Sequence, residues 1–217
     1  MTDRAYADIK SKVLSGTYAP GGHFEAGQLS DDLGMSRTPV REALLRLQSD
    51  GILEIVAKKG VRIVPLSASD LQDVYQIITG LEVEAVGNLA KSGLNADGLS
   101  RLSKATETME QSVDDGTIDG WSLADEYFHR SLFDLCGNAR LCAEGHRYRD
   151  LAQRAHFVAL RLVDKKQKRK SAGSHRDLVG IIESADENKA RHVHFEQRVR
   201  GAQILVDIVK KYGLNLL

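Results

Sequence analysis

Proline is almost missing from this chain. Its three copies, Pro20, Pro39 and Pro65, all lie in the first 65 residues, and the 152 residues that follow contain none. Nothing in that long stretch obliges a helix to break, and its apolar residues recur at three- and four-residue steps, which predicts an all-helical unit. Cysteine is equally sparse. Cys136 and Cys142 are too few for a disulfide scaffold, and their spacing of six matches no zinc or redox motif. No run approaches the ~18 apolar residues of a membrane helix, and the charged start Met1-Thr-Asp-Arg-Ala-Tyr lacks the apolar core of a signal peptide. A soluble, cytoplasmic protein with no membrane partner is therefore expected. Net charge is absent too, with 30 basic residues against 30 acidic. Also missing are Gly-x-Ser-x-Gly, a phosphate loop, His-Glu-x-x-His and a dinucleotide fingerprint, so the expectation is a protein that is not an enzyme.

What is present suffices for real cores: 217 residues, 42% of them hydrophobic. Charge is segregated along the chain. Residues 67–139 carry 4 basic and 13 acidic residues, residues 140–176 carry 11 basic and 3 acidic, and residues 1–66 are nearly balanced. Any nucleic-acid contact by the amino-terminal part must come from local placement, not bulk charge.

The predicted fold is mainly α, dividing near Pro65 into residues 1–66 and residues 67–217. In the first part Tyr6, Ile9 and Val13 mark a helix stopped at Ser15-Gly16. After the turn Ala19-Pro-Gly-Gly, a short helix through Leu29 and Leu33 ends at Gly34. A third helix follows, capped by Ser36 or Thr38 and tolerating Pro39 in its first turn, with Val40, Ala43, Leu44 and Leu47 inward. Ile52–Val56 and Val61–Val64 flank Ala57-Lys-Lys-Gly60 as a hairpin with a basic tip. Three helices and a β-hairpin wing make a winged helix-turn-helix. Arg37, Thr38 and Arg41 then sit at the free tip of the helix that enters the major groove, where arginine reads guanine for about 1–3 kcal/mol of discrimination. Lys58 and Lys59 would meet backbone phosphates.

The second part predicts a bundle of about six helices. Ser69-Asp-Leu-Gln72 reads as a capping box, and Leu71, Val74, Ile78, Leu81, Ala85 and Leu89 form a stripe behind it. Polar residues fall on inward faces: Asp125 and His129 one turn apart, His175 with Leu178 and Ile182, and Gln197 on the stripe Ala190, Val193, Gly201, Ile204 and Ile208. Such groups are costly to bury unless paired or bound to a cation, and a carboxylate–imidazole set from three helices suits zinc or nickel. A hydrogen-bonded core pair with an ordinary interior histidine reads the same residues without a metal. Arg140, Arg147, Arg154 and Arg161 recur every seven residues; Arg154, mid-helix, is the candidate to hold a small carboxylate effector, and the others read as a solvated edge or a subunit contact. The run Lys165–Lys170 is expected to be an exposed, mobile connector. A metalloenzyme using Glu126 as base is disfavoured because adjacent helix positions point about 100° apart.

The strings Leu14-Ser-Gly-Thr-Tyr-Ala-Pro-Gly-Gly, Ser36-Arg-Thr-Pro-Val-Arg-Glu-Ala-Leu44, Asp50-Gly-Ile-Leu and Lys59-Gly-Val-Arg-Ile-Val resemble the GntR family of bacterial transcription regulators. By that resemblance Arg37, Thr38 and Arg41 fall on DNA-reading positions and Gly60 on the wing tip, while Gly27 stands where several relatives carry a further DNA-contacting arginine. Asp125-Glu-Tyr-Phe-His129, Ser174-His175-Arg176, Asp186 and Ala190 resemble the FCD ligand-sensing domain of the FadR-type subfamily. The resemblance implies a divalent metal held by Asp125, His129 and His175. The family's last histidine falls on Gln197, a weaker ligand, and His194, one turn earlier and rotated by about 60°, is the alternative. It further implies a homodimer on double-stranded operator DNA in the nucleoid, acting as a repressor relieved by a small organic acid. Loss of the site at Gln197, leaving the bundle only a dimer scaffold, is the rival reading.

Overall fold

The computed structural model describes residues 1–15, 17–19, 21–57, 59–65 and 67–212; the side chains of residue 118 and of residues 154–158 also lie outside the described set. Two expected site residues, Lys58 and the side chain of Arg154, are therefore outside it.

The amino-terminal unit is α1 (Thr2–Leu14), β1 (His23–Phe24), α2 (Ala26–Leu33), α3 (Arg37–Ser49), β2 (Leu53–Val56) and β3 (Gly60–Ile63). Ala5, Ile9 and Val13 turn one face of α1 onto Val40, Ala43, Leu44 and Leu47 of α3, forming a core of their own. Helix α2 stops where Gly34 adopts φ 60°, ψ 35°, the left-handed turn that launches α3. Ser36 takes the N-cap with extended backbone, and Pro39 lies in the first turn of α3, where its missing N–H costs no helical bond.

The wing carries one strand beyond the expected hairpin. Strands order as β1-β3-β2, all antiparallel, with His23 opposite Arg62 and Val56 opposite Gly60. A two-residue strand has no readable period, which is why it was not foreseen. Gly60 opens β3 at φ 87°, and a Cβ there would collide with the Phe24 carbonyl oxygen. Its glycine is demanded by the sheet rather than by a contact at the tip.

Six helices follow among the described residues: α4 (Ala68–Ser92), α5 (Ala96–Asp115), α6 (Ile118–Leu135), α7 (Ala139–Leu162), α8 (Lys165–Glu183) and α9 (Glu187–Lys211). The capping box sits two residues earlier than expected: Ser67 Oγ accepts from the Asp70 N–H while Asp70 answers the Ser67 N–H. The basic run is not a mobile connector. Asp164 caps it by accepting from the Gln167 N–H, and Lys165–Lys170 form the opening turns of α8, with Lys168 buried and 5.8 Å above the Trp121 ring. Helix α9 is rotated from its expected face. Ala190, His194, Arg198, Leu205 and Val206 are buried, and Val193, Gln197, Gly201 and Ile204 only partly so. Leu151 on α7 packs against both cores.

Replacing Gly60 by Ala places a side chain at positive φ against a backbone atom, so we expect a loss of about 1–3 kcal/mol or more in the amino-terminal unit. Calorimetric unfolding measures it. An unchanged transition would return Gly60 to the role of a pure contact residue.

Candidate functional site

Two places in the molecule are built for recognition. At the tip of α3, Arg37, Thr38 and Arg41 are exposed, and among the described residues neither guanidinium is in an ion pair. Arginines elsewhere in this unit are paired: Arg46 with Asp3 at 2.6 Å and Arg62 with Glu54 at 2.5 Å. The tip thus presents unengaged donors, Lys59 is exposed at the wing, and Val40, Leu44 and Leu47 anchor the helix from behind.

The second place is inside the bundle. His129 and Asp125 of α6 are buried one turn apart, and His175 of α8 comes in across from them. Nε2 of His129 lies 3.1 Å from Nε2 of His175, and Asp125 Oδ1 lies 3.9 and 3.5 Å from those two atoms. A point equidistant from the three is about 2 Å from each, the length of a zinc bond to imidazole nitrogen or carboxylate oxygen. The outer side of the His175 ring supports this. His175 Nδ1 donates to the Ser171 carbonyl oxygen at 2.7 Å, and His129 Nδ1 stands 3.0 Å from Glu82 Oε2. The His175 proton is thereby held on Nδ1 and its Nε2 lone pair turns inward, while His129 Nδ1 makes no hydrogen bond among the described residues and its Nε2 also faces Arg198 Nη1 at 3.3 Å. Burial pushes the His129 pKa down to about 3 against the pull of Glu82, and burial also lowers His175, so a proton is a poor occupant of that point.

Gln197 is not a fourth member. Its Nε2 donates to the Ser174 carbonyl at 2.9 Å and its Oε1 faces His194 Nδ1 at 3.4 Å. His194 does not replace it either, because its Nε2 is held 3.0 Å from Glu82. The donor set is two nitrogens and one oxygen, open toward a cavity of about 150 Å³. Trp121, Leu160, Val163, Ile204 and Leu205 line its apolar side; Lys170, Arg198 and Arg200 also line it, Arg198 paired with Glu82 and Arg200 with Glu196. Arg198 is 6% exposed. Its Nη1 is 3.3 Å from His129 Nε2 and its buried Nη2 has no hydrogen-bond partner among the described residues. A second cluster, Asp134, Cys142 and His146, is more open, and its carboxylate is already paired with Arg101 and His146.

Residue reasoning missed Glu82, Arg149 and Arg198. Each falls at helical spacing within an apolar stripe: Glu82 between Ile78 and Ala85, Arg149 between Gly145 and Ala152, Arg198 between His194 and Leu205. A charge in such a stripe was the available signal. Glu82 accepts from Arg149 at 2.8 Å and meets Arg198 Nε at 3.1 Å; burial raises its pKa, but Arg198 and His129 outweigh this and hold it well below the usual carboxylate range. Trp121, read as packing, does pack but also walls the cavity, and Tyr127 is exposed.

A winged helix with a solvated arginine tip, joined to a helical bundle enclosing a polar cavity, is the build of a two-domain transcription regulator. Comparison with known proteins agrees. Residues 1–63 match the model of the bacterial regulatory proteins of the gntR family, and residues 73–196 match the FCD domain. Over 130 residues, 59% of this chain and 76% of the other, it is 37% identical to an uncharacterized HTH-type transcriptional regulator from the TAR-I ttuE-ttuC' intergenic region of Agrobacterium vitis. It is 26% identical over 159 residues, 72% of each chain, to the HTH-type transcriptional repressor GlaR of Escherichia coli. The fold superposes on E. coli McbR/YncC with a TM-score of 0.80 at 23% identity, covering 95% of this chain and 97% of that one. The chain belongs to the gntR family of bacterial regulatory proteins and carries an FCD domain; it is a DNA-binding transcription regulator, and the families it matches are regulators rather than enzymes. No helix among the described residues is long and apolar enough to cross a membrane.

His129 is held neutral in the fold and would protonate near 6.5 once unfolded, so the unfolded state binds more protons below that value. Stability contributed by this residue is full above pH 6.5 and falls as pH drops toward 3. Urea midpoints should decrease between pH 7 and pH 5, and by less in His129→Gln. Equal decreases would mean that His129 is not the group responsible.

Proposed function

We propose that this protein is a homodimeric repressor whose grip on operator DNA is relieved by a small organic acid bound beside a divalent metal ion. Arg37, Thr38 and Arg41 read the major groove, with Lys58, Lys59 and Gly60 of the wing against the flanking backbone. Two copies on a pseudo-palindrome multiply the few base pairs that one α3 tip can reach. Asp125, His129 and His175 would hold zinc or nickel, which supplies a Lewis-acid seat for a carboxylate. The observation that carries this reading is the convergence of three buried donor atoms on one point about 2 Å from each, facing a cavity.

The effector's class follows from charge. Of the cations in the cavity lining, Arg198 is paired with Glu82 and Arg200 with Glu196, so the positive surplus there comes from Lys170 together with a divalent ion seated at Asp125. An anion balances it. A guanidinium suited to hold that anion is Arg198, whose Nη2 is buried without a hydrogen bond among the described residues; the side chain of Arg154, the other candidate, lies outside them. The effector then acts by binding one arrangement of the two domains better than the other. The scaffold-only alternative draws on one observation, the Gln197 amide engaged with Ser174 instead of the donor set.

Metal analysis of protein purified without chelator tests the centre. About one equivalent of zinc or nickel per chain is expected, falling at least tenfold in affinity in His175→Ala; less than stoichiometric metal, with no thermal shift on adding either ion, favours the scaffold. For the other end, Arg41→Ala should cost about 1–3 kcal/mol of operator discrimination in binding assays against randomised DNA, with non-specific binding nearly kept. Unchanged selectivity removes α3 as the reading helix.

A further inference from the structure

The cavity is joined to the DNA-reading helix by a file of charged groups that the Tyr6 hydroxyl completes. It begins at Arg198, whose Nε lies 3.1 Å from Glu82. Glu82 pairs with Arg149 at 2.8 Å, Arg149 with Glu126 at 2.5 Å, and Glu126 with Arg130 at 2.6 Å. Arg130 then reaches Asp150 at 2.7 Å, and Asp150 is ion-paired with Lys10 of α1. The file crosses the domain boundary at this pair. On the far side Lys10 Nζ is 3.5 Å from the Tyr6 hydroxyl, which donates to Asp50 at 2.7 Å; Asp50 is the C-cap of α3. Arg46 of α3 stacks on the Tyr6 ring at 4.5 Å, and Leu151, one residue beyond Asp150, packs against the amino-terminal core.

Three carboxylates (Glu82, Glu126 and Asp150) alternate with four cations (Arg198, Arg149, Arg130 and Lys10), the Tyr6 hydroxyl links Lys10 to Asp50, and Arg130 and Lys10 are the partly exposed members between the enclosed ones. In a low-dielectric interior each group is held in place by its two neighbours, and a change in what one must balance is felt by the next. A solvated interface would have dissipated that charge; this one carries it to the cap of the helix that meets DNA.

We infer that this file is the device that couples the cavity to the DNA-reading unit, with Arg149 and Arg130 as its positioning residues. It rests on the sensing role proposed above, yet it can be tested without any ligand. An anion that engages Arg198, or a cation seated beside His129, changes the load on Glu82. The pairs downstream re-form, and α1 together with the Asp50 end of α3 shifts relative to the bundle.

Hydrogen exchange on the full-length protein decides it, reading peptides from α1, from the end of α3, and from α6 and α8 at the cavity. Glu82→Gln perturbs the cavity end directly, and exchange in α1 and around Asp50 should change by about threefold or more. In a Lys10→Gln background, cut at the domain boundary, the α6 and α8 response stays and the α1 and α3 response is lost. Arg130→Gln should do the same from within the bundle. No response in α1 and α3 to Glu82→Gln, or an undiminished one after Lys10→Gln, overturns the inference. Should Glu82→Gln fail to fold, Arg198→Gln serves as the input with the same outcomes. Zinc chloride added to the wild-type protein separates the two proposals. Failure to protect the His129 and His175 peptides removes the metal reading and leaves the Glu82→Gln result to judge the file; protection there with no change in α1 overturns the file alone.

Discussion

Glu82 is the group around which the bundle is organised. A fully buried carboxylate on a helix that is otherwise apolar on that face is a liability unless its charge is met from several directions. Here Arg149 comes from α7, Arg198 and His194 from α9, and His129 from α6, so one side chain ties four helices at distances of 2.8 to 3.1 Å. Removing both Arg149 and Arg198 would leave an uncompensated buried charge, a penalty of about 3–5 kcal/mol in comparable cases. The same carboxylate abuts the His129 ring. It stands 3.0 Å from Nδ1 of that ring, whose Nε2 faces His175, Asp125 and Arg198.

The two domains divide the physical work differently. The winged helix holds its recognition helix rigidly with an apolar back and leaves the tip solvated, which suits a partner made of phosphates and base edges. The bundle encloses its polar groups around an apolar-walled cavity whose lining cations Arg198 and Arg200 are paired with Glu82 and Glu196. Their junction is small and mixed: Leu151 seated in both cores, and the Lys10–Asp150 pair beside it. A junction of that kind holds a preferred arrangement without locking it, as a switch requires.

Much of this was legible in order along the chain. The turn glycines, the Ser36-Arg-Thr-Pro cap and the hairpin pattern are local signals, and local signals place the reading helix, because the residues that fold it are the ones beside it. The proline-free stretch announced the bundle for the same reason. Misplacements were small where a cap competed with a near neighbour, as with Ser67 over Ser69, and larger where the helical signal lay in composition alone. Lys165–Lys170 looked like a connector, but Asp164 supplies the cap and Trp121 the cover for Lys168.

The sequence by itself determined the class of the protein, the winged helix followed by a helical bundle, the helix whose exposed tip carries Arg37, Thr38 and Arg41, and three of the polar residues that meet in the bundle. Periodicity can report these because each depends on spacing within one helix or turn. Only the tertiary structure decided the rest: the rotation of α9 that brings in His194 and Arg198 and holds Gln197 out of the donor set, and the assembly of Glu82 with cations from separate helices. Those outcomes depend on how one helix is turned about its axis relative to others far away in the chain. A rotation of one residue's worth is nearly silent in a periodic pattern, yet it exchanges one side chain for another at the centre of the molecule.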